Sequence, residues 1–118
     1  MKINIILFCC IFLVCSCIPK KEPRVIIVNN TKITLDSVKV FANSNNPTTF
    51  FSLKENEKVK GRIVFDRNKK GDGSYSILVY KKDSIFVSKG FGYYTNGASL
   101  NYRFDIKIEP DTLIIKSK

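Results

Sequence analysis

The clearest pattern of apolar and polar positions lies near the C-terminus, where the two types alternate without interruption. Leu100, Tyr102, Phe104, Ile106 and Ile108 occupy one phase, and Asn101, Arg103, Asp105, Lys107 and Glu109 occupy the other. Successive side chains of a strand point to opposite faces of a sheet. The pattern therefore predicts a central strand whose apolar side chains lie in the core and whose other face is solvated.

Shorter segments of the same character predict further strands. They cover residues 25–28, 32–41, 49–53, 59–65, 75–80, 85–94 and 113–115. In the second of these the alternation changes phase at Asp36-Ser37, which predicts a β-bulge or a strand that switches sheets. The strongest turn signal is Asn96-Gly97, because both central residues of a type I′ turn have positive φ. Lys82-Asp83 and Pro110-Asp111 predict two more hairpin connections.

These elements predict an all-β fold. Roughly seven or eight short strands separated by turns are typical of a small antiparallel β-sandwich, with a small β-barrel as the alternative. No helical periodicity follows Cys17. An immunoglobulin-like topology is the usual one at this size, but the Cys and Trp marks of true immunoglobulin domains are absent. That description therefore rests on architecture alone.

The N-terminal segment differs from the rest of the chain. A short apolar run, Ile5 to Val14, follows Lys2, and it ends in Val14-Cys15-Ser16-Cys17 before a change to Ile18-Pro19-Lys20-Lys21-Glu22-Pro23. A basic start, a short apolar run and small residues predict a secretory signal. The run is shorter than the roughly 20 apolar residues of a transmembrane helix, and Asn4 and Ser16 interrupt it.

Val14-Cys15-Ser16-Cys17 resembles a bacterial lipobox. The resemblance implies cleavage before Cys17, diacylglycerol on its sulfur and acylation of the new amino terminus. It divides the chain into a signal peptide (1–16), the lipidated Cys17 with a short basic tether (17–23) and a β-sandwich domain (24–118). Lys2 is the only charged residue in the signal, so its removal lowers the net charge from +10 to +9.

The composition excludes several kinds of chemistry. The chain contains no His, which removes the usual general base at neutral pH and the commonest metal ligand. After cleavage the remaining cysteine is blocked by lipid, so zinc, haem and iron–sulfur sites lack their ordinary ligands. Asp66 to Asp72 begins like a calcium loop, but Lys70 and Ile77 stand where oxygen ligands are needed. We therefore expect no metal, no cofactor and no enzymatic activity.

Two groups of residues are candidate binding elements. The first is the segment from Gly90 to Gly97, in which Phe91, Tyr93, Tyr94 and Asn96 offer aromatic contact area. In the alternative interpretation Phe91 and Tyr93 share a phase in the core and Tyr94 covers the sheet edge. The second group is basic, and we expect its members to be neighbours on one sheet: Lys60, Arg62, Lys69, Lys70, Lys81 and Lys82. The alternative is an ordinary solvated surface.

Charge and the predicted export together define the partner class. An exported lipoprotein rarely meets nucleic acid, so an anionic lipid, an acidic glycan or an acidic envelope protein fits the basic charge better. The sequence thus predicts a lipid-anchored binding or accessory module of the cell envelope. The alternative is a periplasmic immunity protein, or an inhibitor of a toxin or of a wall-degrading enzyme.

Three short motifs bear on the origin of the chain and its place in the envelope. Asp36-Ser37-Val38, Asp83-Ser84-Ile85 and Asp111-Thr112-Leu113 resemble the acceptor motif of protein O-glycosylation in Bacteroidetes-type bacteria. Turn chemistry explains the same residues equally well. Surface lipoproteins of that group carry an acidic tract after the cysteine, whereas Lys20 and Lys21 stand here. We therefore expect the periplasmic face of the outer membrane, with the cell surface as the alternative.

Overall fold

The computed structural model describes residues 22–118, and this part of the chain is all-β. Its strands are β1 (Arg24–Asn29), β2 (Leu35–Phe41), β3 (Thr48–Leu53), β4 (Lys58–Arg62), β5 (Gly73–Lys81), β6 (Ser84–Thr95), β7 (Ala98–Ser99), β8 (Arg103–Ile108) and β9 (Leu113–Ser117). The predicted signal peptide, the lipidation at Cys17 and most of the tether lie outside the described residues.

The strands form two sheets that pack on each other, so the predicted β-sandwich is confirmed. Sheet A has the order β4-β1-β8-β9, and sheet B has the order β3-β2-β5-β6-β7. β1 and β8 run parallel, and every other paired strand in the described chain is antiparallel. The parallel pair joins segments almost 80 residues apart, as in the pairing of Val25 with Phe104.

The core lies between the sheets and is formed by the inward phase of each strand. It includes Val25 and Ile27 of β1, Val38 and Val40 of β2, Tyr75, Ile77 and Val79 of β5, and Phe104, Ile106 and Ile108 of β8. The phase of Phe104, Ile106 and Ile108 is the one that the alternation predicts. On β4 the side chains of Lys60 and Arg62 are exposed, and Ile63, just after the strand, is buried.

The sandwich has two distinct ends. We call the end at which β1 begins the N-terminal end. β5 and β8 also begin there, and β4 and β9 end there. The loop of residues 66–72 and the Asn96-Gly97 turn lie at the same end. At the far end lie the Lys82-Asp83 turn and the β8–β9 connection. A buried Asn29 closes the far end: its Nδ2 donates to the carbonyl oxygens of Leu53 and Ile33, each at 2.9 Å.

The predicted core positions at Leu100 and Tyr102 are wrong, because these side chains are 64% and 69% exposed. The segment after the Asn96-Gly97 turn pairs with β6 for only two residues and then crosses to sheet A, where β8 starts at Arg103. Leu100 and Tyr102 lie on this crossover. Their phase matches that of Phe104, but they precede β8 and lie outside the strands of either sheet.

A bulge in β6 changes the interpretation of the aromatic segment: Phe91 lies in the core, as the alternative interpretation has it, but Tyr93 and Tyr94 exchange the roles expected of them. Phe91 pairs with Tyr75 and Tyr94 pairs with Gly73, so β6 holds one residue more than β5 between the two pairs. Gly92, with φ of +58°, absorbs the extra residue. Phe91 and Tyr94 therefore both point into the core, and Tyr93 points outward with 72% exposure.

The turn predictions agree with the backbone. Asn96 and Gly97 have φ of +51° and +70°, and Lys82 and Asp83 have φ of +50° and +59°, as type I′ hairpins require.

Leu35 and Val38 are both buried, which confirms the change of phase in β2. The register between β2 and β3 is nevertheless constant, and the irregularity lies in β3, where Ser52 has φ of +51°.

Candidate functional site

The outer face of sheet A is the most strongly charged surface that the strands build. Its outward residues form rows across the sheet, because paired residues share a face. The first row is Arg62, Arg24, Arg103 and Lys118; the second is Lys60, Ile26, Asp105 and Lys116; the third is Lys58, Val28, Lys107 and Ile114. Strands lie about 4.8 Å apart and alternate residues about 6.6 Å apart. The basic side chains are therefore close neighbours.

Asp105 is the one acidic side chain in these rows, and it pairs with Arg103. Nε of Arg103 lies 3.1 Å from Oδ1 of Asp105, and Nη2 donates to Oδ2 at 3.1 Å. The Nε–H makes no hydrogen bond of normal geometry, although it is close to Oδ1. Within residues 22–118 this is the only ion pair. The other cations of the face therefore keep their charge uncompensated by a contacting carboxylate.

Apolar side chains lie between the cations. Ile26 and Val28 are half-buried in the middle of the face, and Ile114 is exposed on β9. Two open grooves of about 490 and 450 Å³ cross the face side by side and share Ile26 and Arg103. The arrangement suits an elongated anionic ligand that has some apolar surface.

The N-terminal end carries a second basic group next to the first row. The loop of residues 66–72 exposes Arg67, Lys69 and Lys70, and it is held in place by the turn beside it: the amide of Gly97 donates to the carbonyl of Gly71 at 2.9 Å, and that of Asn96 donates to Oδ1 of Asp72 at 2.8 Å. The loop therefore presents its cations from a fixed position.

The structure separates the residues that the sequence groups together. Lys60 and Arg62 lie on the outer face of sheet A, whereas Lys69, Lys70, Asn96 and Tyr93 lie at the N-terminal end. Lys81 and Lys82 lie at the far end of β5, roughly 26 Å from the start of that strand at 3.3 Å per residue. The expectation that all six basic residues adjoin on one sheet is therefore wrong.

Phe91 and Tyr94 contribute no contact surface, because they are 9% and 8% exposed. Their rings instead pack on Tyr75, with centroid distances of 5.4 Å in both pairs. Only Tyr93 of the predicted aromatic group is available to a partner. The predicted binding element of three aromatic residues is thus reduced to one.

Several residues of the basic face are absent from the group predicted from sequence. Arg24, Lys58, Arg103, Lys107, Lys116 and Lys118 join Lys60 and Arg62 there. The alternation already indicates that Arg103 and Lys107 point outward. Which strands lie beside them is not readable from the pattern, because β1 and β8 are far apart in sequence and pair in parallel.

The cations and apolar side chains of these surfaces can bind an anionic group through charge and apolar contact. Burial raises the pKa of the Tyr75 hydroxyl above its usual range, and the hydrogen bond that it donates to Oγ of Ser99 at 2.8 Å opposes this shift. Tyr75 is a core residue and not part of either surface. Among the described residues no cluster of His, Cys, Asp and Glu has the size needed to hold a metal ion.

The described part of the chain contains no helix that is long and apolar enough to span a membrane. Comparison with protein-family models, with curated proteins and with solved structures found no match.

Proposed function

We propose that the protein is a lipid-anchored binding module of the cell envelope, without catalysis, that holds an anionic component on the outer face of sheet A. The observation that carries the proposal is the row Arg62, Arg24, Arg103 and Lys118, with further lysines in the next two rows. Guanidinium groups bind carboxylate or phosphate through paired hydrogen bonds. The row holds three guanidinium groups, of which that of Arg103 is already paired with Asp105, and the ammonium group of Lys118. It therefore favours a ligand with repeated anionic groups over a single small anion.

The anchor in this proposal is Cys17, and the place is the periplasmic face of the outer membrane. Two or more acyl chains hold a protein firmly at a bilayer, whereas one is marginal. We expect Cys17→Ala to release the protein from the membrane fraction while the domain stays folded. Quantitative recovery of Cys17→Ala in detergent-extracted membranes would contradict the lipid anchor.

The ligand side of the proposal is tested with the soluble domain and a defined acidic polysaccharide, heparin. Lys60→Glu with Lys107→Glu reverses two charges on the face. The matched control, Lys54→Glu with Lys82→Glu, makes the same change at exposed positions near the far end. We expect the first pair to weaken binding about tenfold or more, equivalent to about 1.4 kcal/mol, and the control to have a much smaller effect.

Salt dependence gives an independent measurement. The Debye length falls from about 10 Å at 0.1 M to about 3 Å at 1 M salt, so binding through the face should weaken steeply over that range. Equal losses for the two charge-reversal pairs would mean that only net charge matters. Binding that ignores salt but is lost in Tyr93→Ala would place the site at the aromatic segment instead.

Co-purification of the acylated protein with its envelope partners identifies the natural ligand. An acidic glycan or anionic lipid would support the proposal. A single acidic toxin or wall-degrading enzyme, together with no binding to heparin, would instead support an immunity protein or inhibitor.

A further inference from the structure

We infer that the N-terminal end of the sandwich is a membrane-docking surface, which lies against a bilayer containing anionic phospholipid. The inference rests on the lipid anchor of the proposed function. It adds which part of the domain touches the bilayer and how the basic face is then oriented. Three features of the chain support it: tether length, exposed apolar side chains and the distribution of charge.

The tether is shorter than the sandwich. Cys17 is five residues before Glu22, the first described residue, and a fully extended chain spans at most about 3.3–3.6 Å per residue. Glu22 can therefore be no more than about 18 Å from the anchored cysteine. The far end is roughly 26 Å beyond the N-terminal end along β5. A domain anchored at Cys17 cannot stand on its far end.

Glu22 and Pro23 are held tightly to the N-terminal end. The carbonyl of Pro23 accepts a hydrogen bond from the amide of Ile63 at 2.9 Å, and the carbonyl of Glu22 accepts one from Nη1 of Arg62 at 3.2 Å. The amide of Arg24 donates to the carbonyl of Tyr102 at 2.9 Å. The tether thus leaves the domain beside Tyr102 and Arg62, so an anchored chain brings this end close to the lipid.

Exposed apolar side chains project from this same end. Tyr93, Leu100 and Tyr102 are 72%, 64% and 69% exposed. Tyr94 pairs with Ser99, so the residues next to them, Tyr93 and Leu100, lie close to each other across the β6–β7 pair. Tyrosine is enriched at membrane interfaces because its ring is apolar and its hydroxyl is polar. These side chains lack any cover within the described chain.

The crossover that presents Leu100 and Tyr102 is rigidly held. Oγ of Ser99 accepts hydrogen bonds from the buried Tyr75 hydroxyl at 2.8 Å and from the Asn101 amide at 3.1 Å. On its other side the amide of Tyr102 donates to the carbonyl of Lys118 at 2.9 Å. The apolar side chains are therefore displayed by a braced segment, which lowers the entropy cost of ordering them at a surface.

Charge is distributed unevenly between the two ends. Cations at the N-terminal end are Arg24, Arg62, Arg67, Lys69, Lys70, Arg103 and Lys118. Glu22, Asp66 and Asp72 are the acidic residues at that end, so the cations are in excess there. Toward the far end the charges balance, because six acidic residues offset six lysines: Asp36, Glu55, Glu57, Asp83, Glu109 and Asp111 against Lys32, Lys54, Lys58, Lys81, Lys82 and Lys107. A basic residue near an anionic leaflet contributes about 1 kcal/mol of attraction. An anionic bilayer therefore attracts the N-terminal end more strongly than the far end.

Docking in this orientation has a consequence for the basic face. β1 and β8 begin at the bilayer and run away from it, so sheet A stands upright on the leaflet. Its first row, from Arg62 to Lys118, lies at the level of the headgroups and contributes to both surfaces, whereas the second and third rows, with Lys60, Lys107 and Lys116, remain open to a ligand from the side. The domain would thus present its ligand face at a constant height and direction.

The absence of Trp from the chain permits a direct test. Tyr102→Trp places a single tryptophan reporter at the N-terminal end. Phe51→Trp is the matched control, since Phe51 is 74% exposed and lies on the outer face of sheet B, toward the far end. The acylated full-length proteins are reconstituted in phosphatidylcholine vesicles with and without phosphatidylglycerol, using lipids brominated on the upper part of the acyl chain.

We expect strong quenching and a blue shift of the Tyr102→Trp emission in the vesicles that contain phosphatidylglycerol, because interfacial groups lie about 5–10 Å deep at the headgroup boundary. Quenching should fall in pure phosphatidylcholine and in 1 M salt. Phe51→Trp should be unaffected in all of them. Retention of both proteins on floated vesicles verifies the anchor in the same samples.

The other outcomes overturn the inference in distinguishable ways. Flotation without quenching of Tyr102→Trp would mean that the domain is anchored but not docked. Equal quenching of both reporters would mean that it has no fixed orientation. Quenching that is independent of phosphatidylglycerol and salt would remove the role of charge. Failure to float would contradict the lipid anchor itself, and with it the docking.

Discussion

Phe104→Ala tests the packing at the centre of the sandwich. Phe104 is fully buried, and its ring centroid lies 4.8 Å from that of Tyr75 and 5.1 Å from that of Phe91. An added Cβ at Gly92 would meet Phe104 Cε1 at 3.0 Å, which shows how closely the β6 bulge fits the ring. Truncation to Ala removes the group on which both aromatic partners pack.

The expected loss can be given a magnitude. Phe→Ala substitutions in cores cost about 3–5 kcal/mol, and the cost is greatest where the neighbours cannot collapse into the cavity. Here the cavity is walled by two rings and by the paired backbones of two sheets, so we expect about 4 kcal/mol. The total stability of such domains is about 5–15 kcal/mol. The variant should therefore stay folded with little margin.

Urea denaturation of the soluble domain is the assay. With an m-value of about 2 kcal/mol per molar, the midpoint should fall by about 2 M while the m-value stays unchanged. Tyr102→Ala is the matched control, because Tyr102 has the same phase two residues earlier but is 69% exposed; its loss should stay below about 1 kcal/mol. Equal losses for the two variants would refute the assignment of the crossover at residues 100–102.

Two further predictions concern single positions. Gly97→Ala should destabilise the domain by about 1–2 kcal/mol in thermal melts, because Gly97 has φ of +70° and an added Cβ would collide with the carbonyl of Lys69. Gly71→Ala is the control and should be nearly neutral, since a Cβ there meets nothing within 4 Å. Similar losses for the two variants would contradict the turn geometry. Burial raises the pKa of Tyr75, so the folded state retains a proton that the unfolded state loses above about pH 10, and the free energy of unfolding should fall as pH rises from there through the folded pKa. In denaturant titrations from pH 8 upward, the free energy of unfolding of Tyr75→Phe should fall less steeply with pH. An unchanged slope would mean that other groups cause the loss of stability at alkaline pH.

Most of the strands and turns follow from local patterns. The alternation in 104–108 identifies the buried phase because the pleat of a strand is a property of the strand itself. Asn96-Gly97 and Lys82-Asp83 form the predicted hairpins for an equally local reason, the positive φ that their backbones adopt. The absence of His likewise restricts the chemistry of the chain, because no arrangement of the strands can supply a missing imidazole.

The candidate surfaces required the tertiary structure. Leu100 and Tyr102 continue the apolar phase of β8, yet they are exposed because they lie on the crossover between β7 and β8. The alternation carries no information about where the chain passes from one sheet to the other. One extra residue at Gly92 exchanges the roles of Tyr93 and Tyr94, since any inserted residue reverses the side-chain phase beyond it. The basic face combines β4, β1, β8 and β9. Its formation depends on the parallel pairing of β1 with β8, which is decided by the packing of the two sheets and not by any segment alone.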